Sequence, residues 1–348
     1  MSILVAMSGG VDSSVSAFLC RQKHNVCNGA TMLLYGDGGE SVGDARRVCE
    51  VLGIGHEVID CRSLFAERVI NKFVRVYESG GTPNPCIDCN RFLKFGEFLR
   101  HAENLGLERI ATGHYARIEK SPSGRYLLRK AKELARDQSY VLYTLTQEQL
   151  SCTKFPLGDM KKSDVRDLAE SEGFSNARKN DSQDICFVPD GDYGSFIEMY
   201  TGKKYPSGKF IDTHGQVLGT HKGIIHYTAG QRRGLGVAAK SRLYVSRIDS
   251  EANTITLAAE GEAGLYAKGV VVRGVNLVAF DVMPENWRGS VKTRYRQREV
   301  ECVVNQAGSD ELVIEFAERQ RVPAVGQGAV VYDGEYVIGG GTIVATMK

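Results

Sequence analysis

The sequence predicts an α/β doubly wound parallel sheet followed by two small mainly-β domains, and three observations carry that expectation. The N-terminal apolar run "ILVAM" stops at Ser8-Gly9-Gly10 and gives way to Val11, Val15, Phe18 and Leu19 at helical spacing. Strand-like and helix-like segments then alternate to about Tyr115, the pattern of a parallel sheet. Beyond about Gly194 the helical signal fades into short alternating segments broken by Gly and Asp turns, which suit small barrels or sandwiches.

Taken in order, Ile3–Met7 reads as a buried strand, and the residues from Val11 as a helix. "GATMLLY" (Gly29–Tyr35) is a second strand, "VGDARRVCEVLG" a helix stopping at Gly53, and "HEVID" a third strand. A helix over Leu64–Tyr77, a Pro- and Cys-rich loop and a helix over Arg91–Leu105 follow, and "RIATGHY" (Arg109–Tyr115) closes the series as a strand. "KSRLYVSRI", "NTITLAA", "GVVVRGVNLV", "ELVIEF" and "GAVVYDGEYVIGGGTIV" supply the later strands, with "TGKKYPSGKF" at the seam. The expected domains are 1–194, 195–262 and 263–348.

Composition narrows the class. The 348 residues are 42% hydrophobic and 25% charged, as in a soluble enzyme, and no apolar run reaches the ~18 residues of a membrane span. The N-terminus lacks a basic n-region and a cleavage-like site. Nine cysteines without framework spacing read as free thiols in a reducing cytoplasm. The formal charge is only +2, so any polyanionic partner must be held by local basic patches.

A strand running through Ser8-Gly9-Gly10 into a helix gathers backbone N–H groups and the positive helix end at one point, which suits a phosphate. Glycine lets the backbone come close, and Ser8, Ser13 and Ser14 add hydroxyls. The "GK[ST]" of a Walker A loop is missing. A tight turn with Asp12 favourably placed in the first helical turn is the bland alternative. "TPNPCIDCNRFLKF" places Cys86 and Cys89 on a Pro-rich turn before a helix, where thiol pKa values tend to fall. Their C-x-x-C spacing also suits a metal, but a four-cysteine zinc site wants a second pair, and none is present. A redox pair or chance spacing are the other readings. Cys186 lies in the polar segment "KNDSQDICFVPDGDYGSF", whereas Cys20, Cys27, Cys49, Cys61, Cys152 and Cys302 read as structural.

"SGGVDS" resembles the PP-loop of the ATP pyrophosphatases, which cleave ATP between its α- and β-phosphates. "MSGGVDSS", "TPNPCIDCNRFLKF", "IATGHYAR", "KNDSQDICF", "GIIHYTAGQRRGLG", "VKTRYRQ" and "GGGTI" together resemble the tRNA-specific 2-thiouridylases, in order and from end to end. The resemblance implies an enzyme, a tRNA-uridine 2-sulfurtransferase, that thiolates the wobble uridine of tRNAs for Lys, Glu and Gln. It implies adenylation of the uracil C2 oxygen by ATP with Mg²⁺, then sulfur transfer from a cysteine persulfide supplied by a cysteine desulfurase or sulfur-relay protein. Carried over residue by residue, Ala6, Met7, Ser8, Gly9, Gly10, Val11, Asp12, Ser13, Met32 and Gly113 would hold ATP. Cys186 would bear the persulfide and Cys89 would be the second active thiol, the two joining in a disulfide. Asn84, Pro85, Cys86, His114, Arg136, Asp137, Gln138, Arg294, Tyr295 and Gln327 would contact tRNA.

Two departures stand out. The position of Cys86 is often Asp in the family, which puts a general base there in doubt and gives three cysteines, Cys86, Cys89 and Cys186, that could ligate an iron–sulfur cluster. The segment "GDGGESVG" is shorter than in many members and lacks their adjacent cysteines. "VKTRYRQREV" (Val291–Val300), read as a strand, would point Lys292, Arg294, Arg296 and Arg298 to one face as a phosphate-scale stripe. "GQRRGLG" is a basic, Gly-rich turn that could approach RNA. The competing functions are an amide-forming PP-loop ligase, which would need neither Cys89 nor Cys186, and a non-catalytic tRNA-binding protein.

Overall fold

The structure, a computed structural model, describes residues 2–179, 185–188 and 190–348. Its contacts fall into two units interleaved along the chain. One comprises Met1–Val69, Cys86–Gln183 and Glu335–Ile338; the other comprises Ile70–Pro85, Asp184–Gly334 and Gly339–Lys348.

The first unit is built on β1 (Ser2–Ala6), α1 (Val11–Lys23), β2 (Val26–Leu33), α2 (Gly39–Leu52), β3 (His56–Asp60) and β4 (Arg109–Ala111). An antiparallel hairpin, β5 (Ala116–Lys120) and β6 (Tyr126–Lys130), follows, then β7 (Thr153–Lys154) and α3 (Lys162–Ser171). The sheet order is β3-β2-β1-β4-β7, every pairing parallel. Ile3, Leu4 and Val5 are wholly buried, as a central parallel strand covered on both faces requires. Gly53 ends α2 in the left-handed conformation at φ 64°, a cap suited to glycine. The chain runs β1-β2-β3 to one side and places β4 on the other, so the strand order reverses between β1 and β4. Ligands of open α/β sheets bind beyond the carboxyl ends of the strands at such a switch point. Ser8–Gly10 follow β1 and Gly113 follows β4, so both loops emerge there.

The structure differs from the sequence reading at several points. β4 ends at Ala111, so His114 lies in the following loop, and the hairpin β5–β6 was not foreseen. On α1 Val11 and Val15 are buried as their spacing predicts, but so are Ser13, Ser14 and Ser16, while Phe18 and Leu19 are only half-buried. The spans 62–78 and 85–104 are helical but contain π-helical stretches, Ala66–Ile70 and Cys89–Glu97.

The second unit holds α4 (Tyr193–Thr201) and a four-stranded sheet ordered β10-β11-β8-β9, from β8 (Gly208–Ile211), β9 (Val217–His221), β10 (Leu243–Asp249) and β11 (Thr254–Ala259). Six more strands follow: β12 (Tyr266–Leu277), β13 (Trp287–Lys292), β14 (Val300–Gly308), β15 (Glu311–Arg321), β16 (Gly328–Asp333) and β17 (Tyr336–Met347). They run in the order β12-β15-β14-β13-β16-β17, and β12 also pairs with β17, closing the six into a barrel.

The stripe expected along Val291–Val300 does not form. β13 stops at Lys292, and Thr293 donates through its backbone N and Oγ1 to Gln297 Oε1 at 3.1 and 2.7 Å. Gln297 N donates to Arg294 O at 3.1 Å, so the arginines sit on a turn rather than on one face of a strand. The local side-chain bonds outcompete continuation of the ladder. Among the described residues no helix is long and apolar enough to cross a membrane.

Candidate active site

The glycine loop is a compact, internally bonded cradle. Gly9 adopts φ +73°, and a Cβ there would lie 2.3 Å from Ser41 O, so both conformation and space demand glycine. Ser13 Oγ donates to Gly10 O at 2.8 Å and receives Ser8 N and Ser8 Oγ, both at 3.2 Å. Ser14 Oγ donates to Gly10 O at 3.0 Å, and buried Asn176 donates through Nδ2 to Gly9 O and to Ser14 Oγ at 3.0 and 2.9 Å. The buried serine face of α1 thus shapes the loop. Residues Gly36–Gly38 lead straight into the first turn of α2, and that turn sets Ser41 against Gly9.

Gly113 meets the same loop from β4. A Cβ on it would come within 2.9 Å of Asp12 C and 3.0 Å of Ser13 N. Gly113→Ala is therefore expected to displace the N-terminus of α1 and cut ATP affinity at least tenfold. Equilibrium binding of a fluorescent ATP analogue checks this, and an unchanged affinity would show that the close approach does not matter.

Asp12, in the first turn of α1, receives Lys162 Nζ at 2.7 and 2.8 Å on its two oxygens and the Tyr115 hydroxyl at 2.8 Å. Lys162 is only 5% exposed. Its backbone N donates to Glu133 Oε2 at 2.6 Å, which fixes the start of α3. Lys162 escaped the sequence reading, because "MKKSD" carries no spacing to Asp12, 150 residues away.

Cys86 and Cys89 lie within the helix over 85–104 rather than on a turn before it. Cys89 is 6% exposed and opens the π-helical stretch; such irregularities are frequent at functional sites. Cys86 is an exposed residue, yet desolvation of its thiol pushes the pKa up, partly offset by the Lys94 charge. The sequence expectation of a lowered thiol pKa does not hold for Cys86. Cys186 is exposed, and the residues after it anchor that segment. Phe187 packs on Phe73 and Phe196 with ring centroids 5.2 and 5.1 Å away, and Val188 is buried. Cys89 belongs to the first unit and Cys186 to the second. Burial pushes the Cys20, Cys49 and Cys302 thiols up to about 12 and the Cys27 and Cys61 thiols up to about 11, which makes them inert at neutral pH. The polar residues 180–184 ahead of Cys186 lie outside the described residues. Among the described residues no three His, Cys, Asp or Glu side chains gather to hold a metal ion.

Several residues matched to tRNA contacts carry structural bonds of their own. His114 is buried between Phe95 and Phe155, with Nδ1 2.7 Å from Thr112 Oγ1, and desolvation followed by the Lys94 charge drives its pKa well below 6.5. Asp137 is buried and receives Ala131 N, Ser139 N and Ser139 Oγ. Gln138 receives Tyr115 N at 3.0 Å, and Arg136 is half-buried in the same loop. In the second unit, Gln327 Nε2 donates to Thr82 O and Pro83 O at 3.0 and 3.1 Å, bracing the chain before Asn84 and Pro85. Arg294 donates to Ala229 O at 2.6 Å, and Tyr295 is exposed.

The histidine burial has a measurable consequence. His114, His56, His221 and His226 all have depressed pKa values, led in each case by desolvation. The unfolded chain therefore binds more protons below about 6.5, and stability falls as pH drops through that value. Thermal melts from pH 7.5 to 5.5 should show Tm declining, with a shallower decline in His114→Asn; a flat profile would contradict the buried neutral histidine.

Comparison with known proteins gives the same assignment along the whole chain. The family described as "tRNA methyl transferase HUP domain" matches residues 1–190, the "tRNA methyl transferase PRC-barrel domain" residues 194–259, and the "Aminomethyltransferase beta-barrel domain" residues 268–343. The tRNA-specific 2-thiouridylase MnmA of Clostridioides difficile is 42% identical over 353 residues, covering 98% of this chain and 97% of that protein. Its counterpart in Treponema denticola is 43% identical over 359 residues, covering 99% and 98%. That of Acetivibrio thermocellus is 43% identical over 355 residues and covers 98% of each chain. End-to-end similarity at this level, joined to a glycine cradle at the switch point of a parallel sheet, shows that the chain belongs to the tRNA-specific 2-thiouridylase family.

Proposed function

We propose that this protein is an ATP-dependent tRNA-uridine 2-sulfurtransferase acting on the wobble uridine of tRNAs for Lys, Glu and Gln. The observation that carries the reading is the 42–43% identity over nearly the full length of relatives bearing that name. The site supplies matching chemistry. The Ser8–Gly10 cradle and the N-terminus of α1 suit the phosphates of ATP, with Ala6, Met7, Val11, Asp12, Ser13, Met32 and Gly113 around the nucleotide. Mg²⁺ would travel with ATP on its phosphate oxygens, as that ion commonly does where the protein offers no dedicated cage.

The uracil C2 oxygen attacks the α-phosphorus, a P–O bond forms, and pyrophosphate leaves. Cys89 as thiolate attacks the inner sulfur of a Cys186 persulfide, forming a Cys89–Cys186 disulfide and releasing the outer sulfur as sulfide. That sulfide adds to C2, and AMP departs with the oxygen. An external thiol then reduces the disulfide, and a cysteine desulfurase or relay protein reloads Cys186. Cys86, where the family often has Asp, leaves that position without a carboxylate to serve as a general base. Asn84, Pro85, His114, Arg136, Asp137, Gln138, Arg294, Tyr295 and Gln327 belong to the tRNA side of this reading, the first two nearest the target base. The cytoplasm, where tRNA is modified and thiols stay reduced, is the matching compartment, and 1–194, 195–262 and 263–348 are its catalytic, central and tRNA-contacting segments.

Labelled ATP tests the first half-reaction. AMP and pyrophosphate formed only with unmodified tRNA present support the reading, whereas ADP and phosphate would oppose it. Sulfur transfer that required prior reconstitution with iron and sulfide, and was lost in Cys86→Ser, would replace the persulfide route with a cluster route.

A further inference from the structure

Asn176 reaches the glycine loop from 167 residues along the chain. It is 3% exposed and lies in the turn after α3, in the stretch "FSNARK". Its Nδ2 donates to Gly9 O at 3.0 Å and to Ser14 Oγ at 2.9 Å, while its Oδ1 is buried with no partner among the described residues. An unpaired buried carbonyl oxygen is costly, so this amide is kept for what its nitrogen does. Its orientation is fixed as well. Turning it over would set Oδ1 against Gly9 O, two acceptors face to face.

The turn that carries Asn176 is braced at several points. Phe174 meets Phe18 of α1 edge to face with ring centroids 6.4 Å apart, and Phe174 N donates to Ala169 O at 3.0 Å. Arg166 donates to Ala177 O and Lys179 O at 3.4 and 3.3 Å. Lys179 N donates to Asn176 O at 3.0 Å, and Lys179 Nζ pairs with Asp44 Oδ2 on α2 at 2.7 Å. The amide therefore works from a fixed mount.

What it holds is a peptide between two glycines. In a trans peptide the C=O and the following N–H point to opposite sides. With Gly9 O drawn inward to buried Asn176, Gly10 N–H points outward, where its bond to the exposed Ser8 hydroxyl is long, at 3.4 Å. That N–H is a donor of the kind a phosphate at a helix N-terminus uses. The two glycines also make a flip of this peptide easy. It would carry Gly10 φ from −94° to about +86° with ψ at 162°, a region open to glycine and closed to nearly every other residue. A carbonyl would then face the anion in place of an N–H.

We propose that Asn176 is a positioning residue for ATP, a latch that holds the Gly9–Gly10 peptide with its N–H toward the phosphates. The proposal rests on the ATP reading of the cradle and adds to it the residue that orients the cradle.

The test compares equilibrium binding of ATP and of adenosine to the full chain. Asn176→Leu, close in shape and unable to donate, should weaken ATP binding about tenfold, the worth of one hydrogen bond to a charged group, and leave adenosine binding unchanged. Equal losses for both ligands, or wild-type ATP affinity in a variant of wild-type melting temperature, would overturn the latch. Gly10→Ala supplies a second arm, since alanine cannot follow the peptide through the flip. In that background Asn176→Leu should cost less than about twofold in ATP affinity, and a further tenfold loss would show that Asn176 acts by another route. A third readout needs no variant. The Gly10 amide proton of the wild-type protein should move downfield in NMR spectra on saturation with ATP and hold its place with adenosine; a Gly10 amide that ATP leaves unmoved would overturn the proposal. Wild-type protein that bound no ATP would instead remove the cradle reading beneath it.

Discussion

Serine at Cys89 or at Cys186 is expected to take 2-thiouridine formation down to the uncatalysed background while leaving tRNA-dependent release of pyrophosphate. Each thiol is asked for a step that a hydroxyl cannot perform, since serine neither carries a transferable outer sulfur nor closes a disulfide. Their settings fit different duties. Cys186 is exposed, where a donor protein can load it, and buried Phe187 and Val188 fix the chain beside it. Cys89 is buried at the start of a π-helical stretch, shielded from adventitious oxidants. Mass spectrometry of tRNA nucleosides and a pyrophosphate assay on the same samples check both halves. A Cys186→Ser protein that still made 2-thiouridine would remove the persulfide from the account.

Lys162→Met is the second large effect. It leaves Asp12 without its ion-pair partner in the first turn of α1, beside the loop proposed to receive the triphosphate. Two like charges ~5 Å apart at an effective dielectric of ~20 repel by about 3 kcal/mol, so ATP binding should weaken roughly 100-fold. Removing one partner of this half-buried pair should also lower stability, by about 1 kcal/mol. Asp12→Asn combined with Lys162→Met should recover most of the ATP affinity, because the repulsion is then gone. No recovery in the double variant, measured by calorimetry with ATP, would mean that the Lys162 ammonium contacts phosphate directly rather than neutralising Asp12.

The glycine loop was legible as a strand–loop–helix turn because its signal is local: an apolar strand, Ser8-Gly9-Gly10 and a helix lie within a dozen residues. The alternation of strands and helices likewise announced the parallel sheet, and the later β segments the barrel. Lys162, Asn176 and Tyr115 were not legible, since each reaches the loop from more than 100 residues away and only the fold makes them neighbours. The arginines of "TRYRQR" misled in the opposite way. Their alternation imitates a strand face, but Thr293 and Gln297 close a turn through side-chain bonds that periodicity does not register. The thiol of Cys86 shows a third limit, because helix position argued for a lowered pKa and desolvation reversed it.

The most direct test of the account is formation of 2-thiouridine by the purified, iron-free protein. The assay supplies an unmodified tRNA for Glu, ATP, and a cysteine desulfurase with isotopically labelled cysteine sulfur. The account predicts labelled 2-thiouridine at the wobble position, dependent on ATP and lost in Cys89→Ser and Cys186→Ser. Unlabelled tRNA under these conditions, from protein that binds ATP and tRNA normally, would contradict persulfide-driven thiolation by this chain.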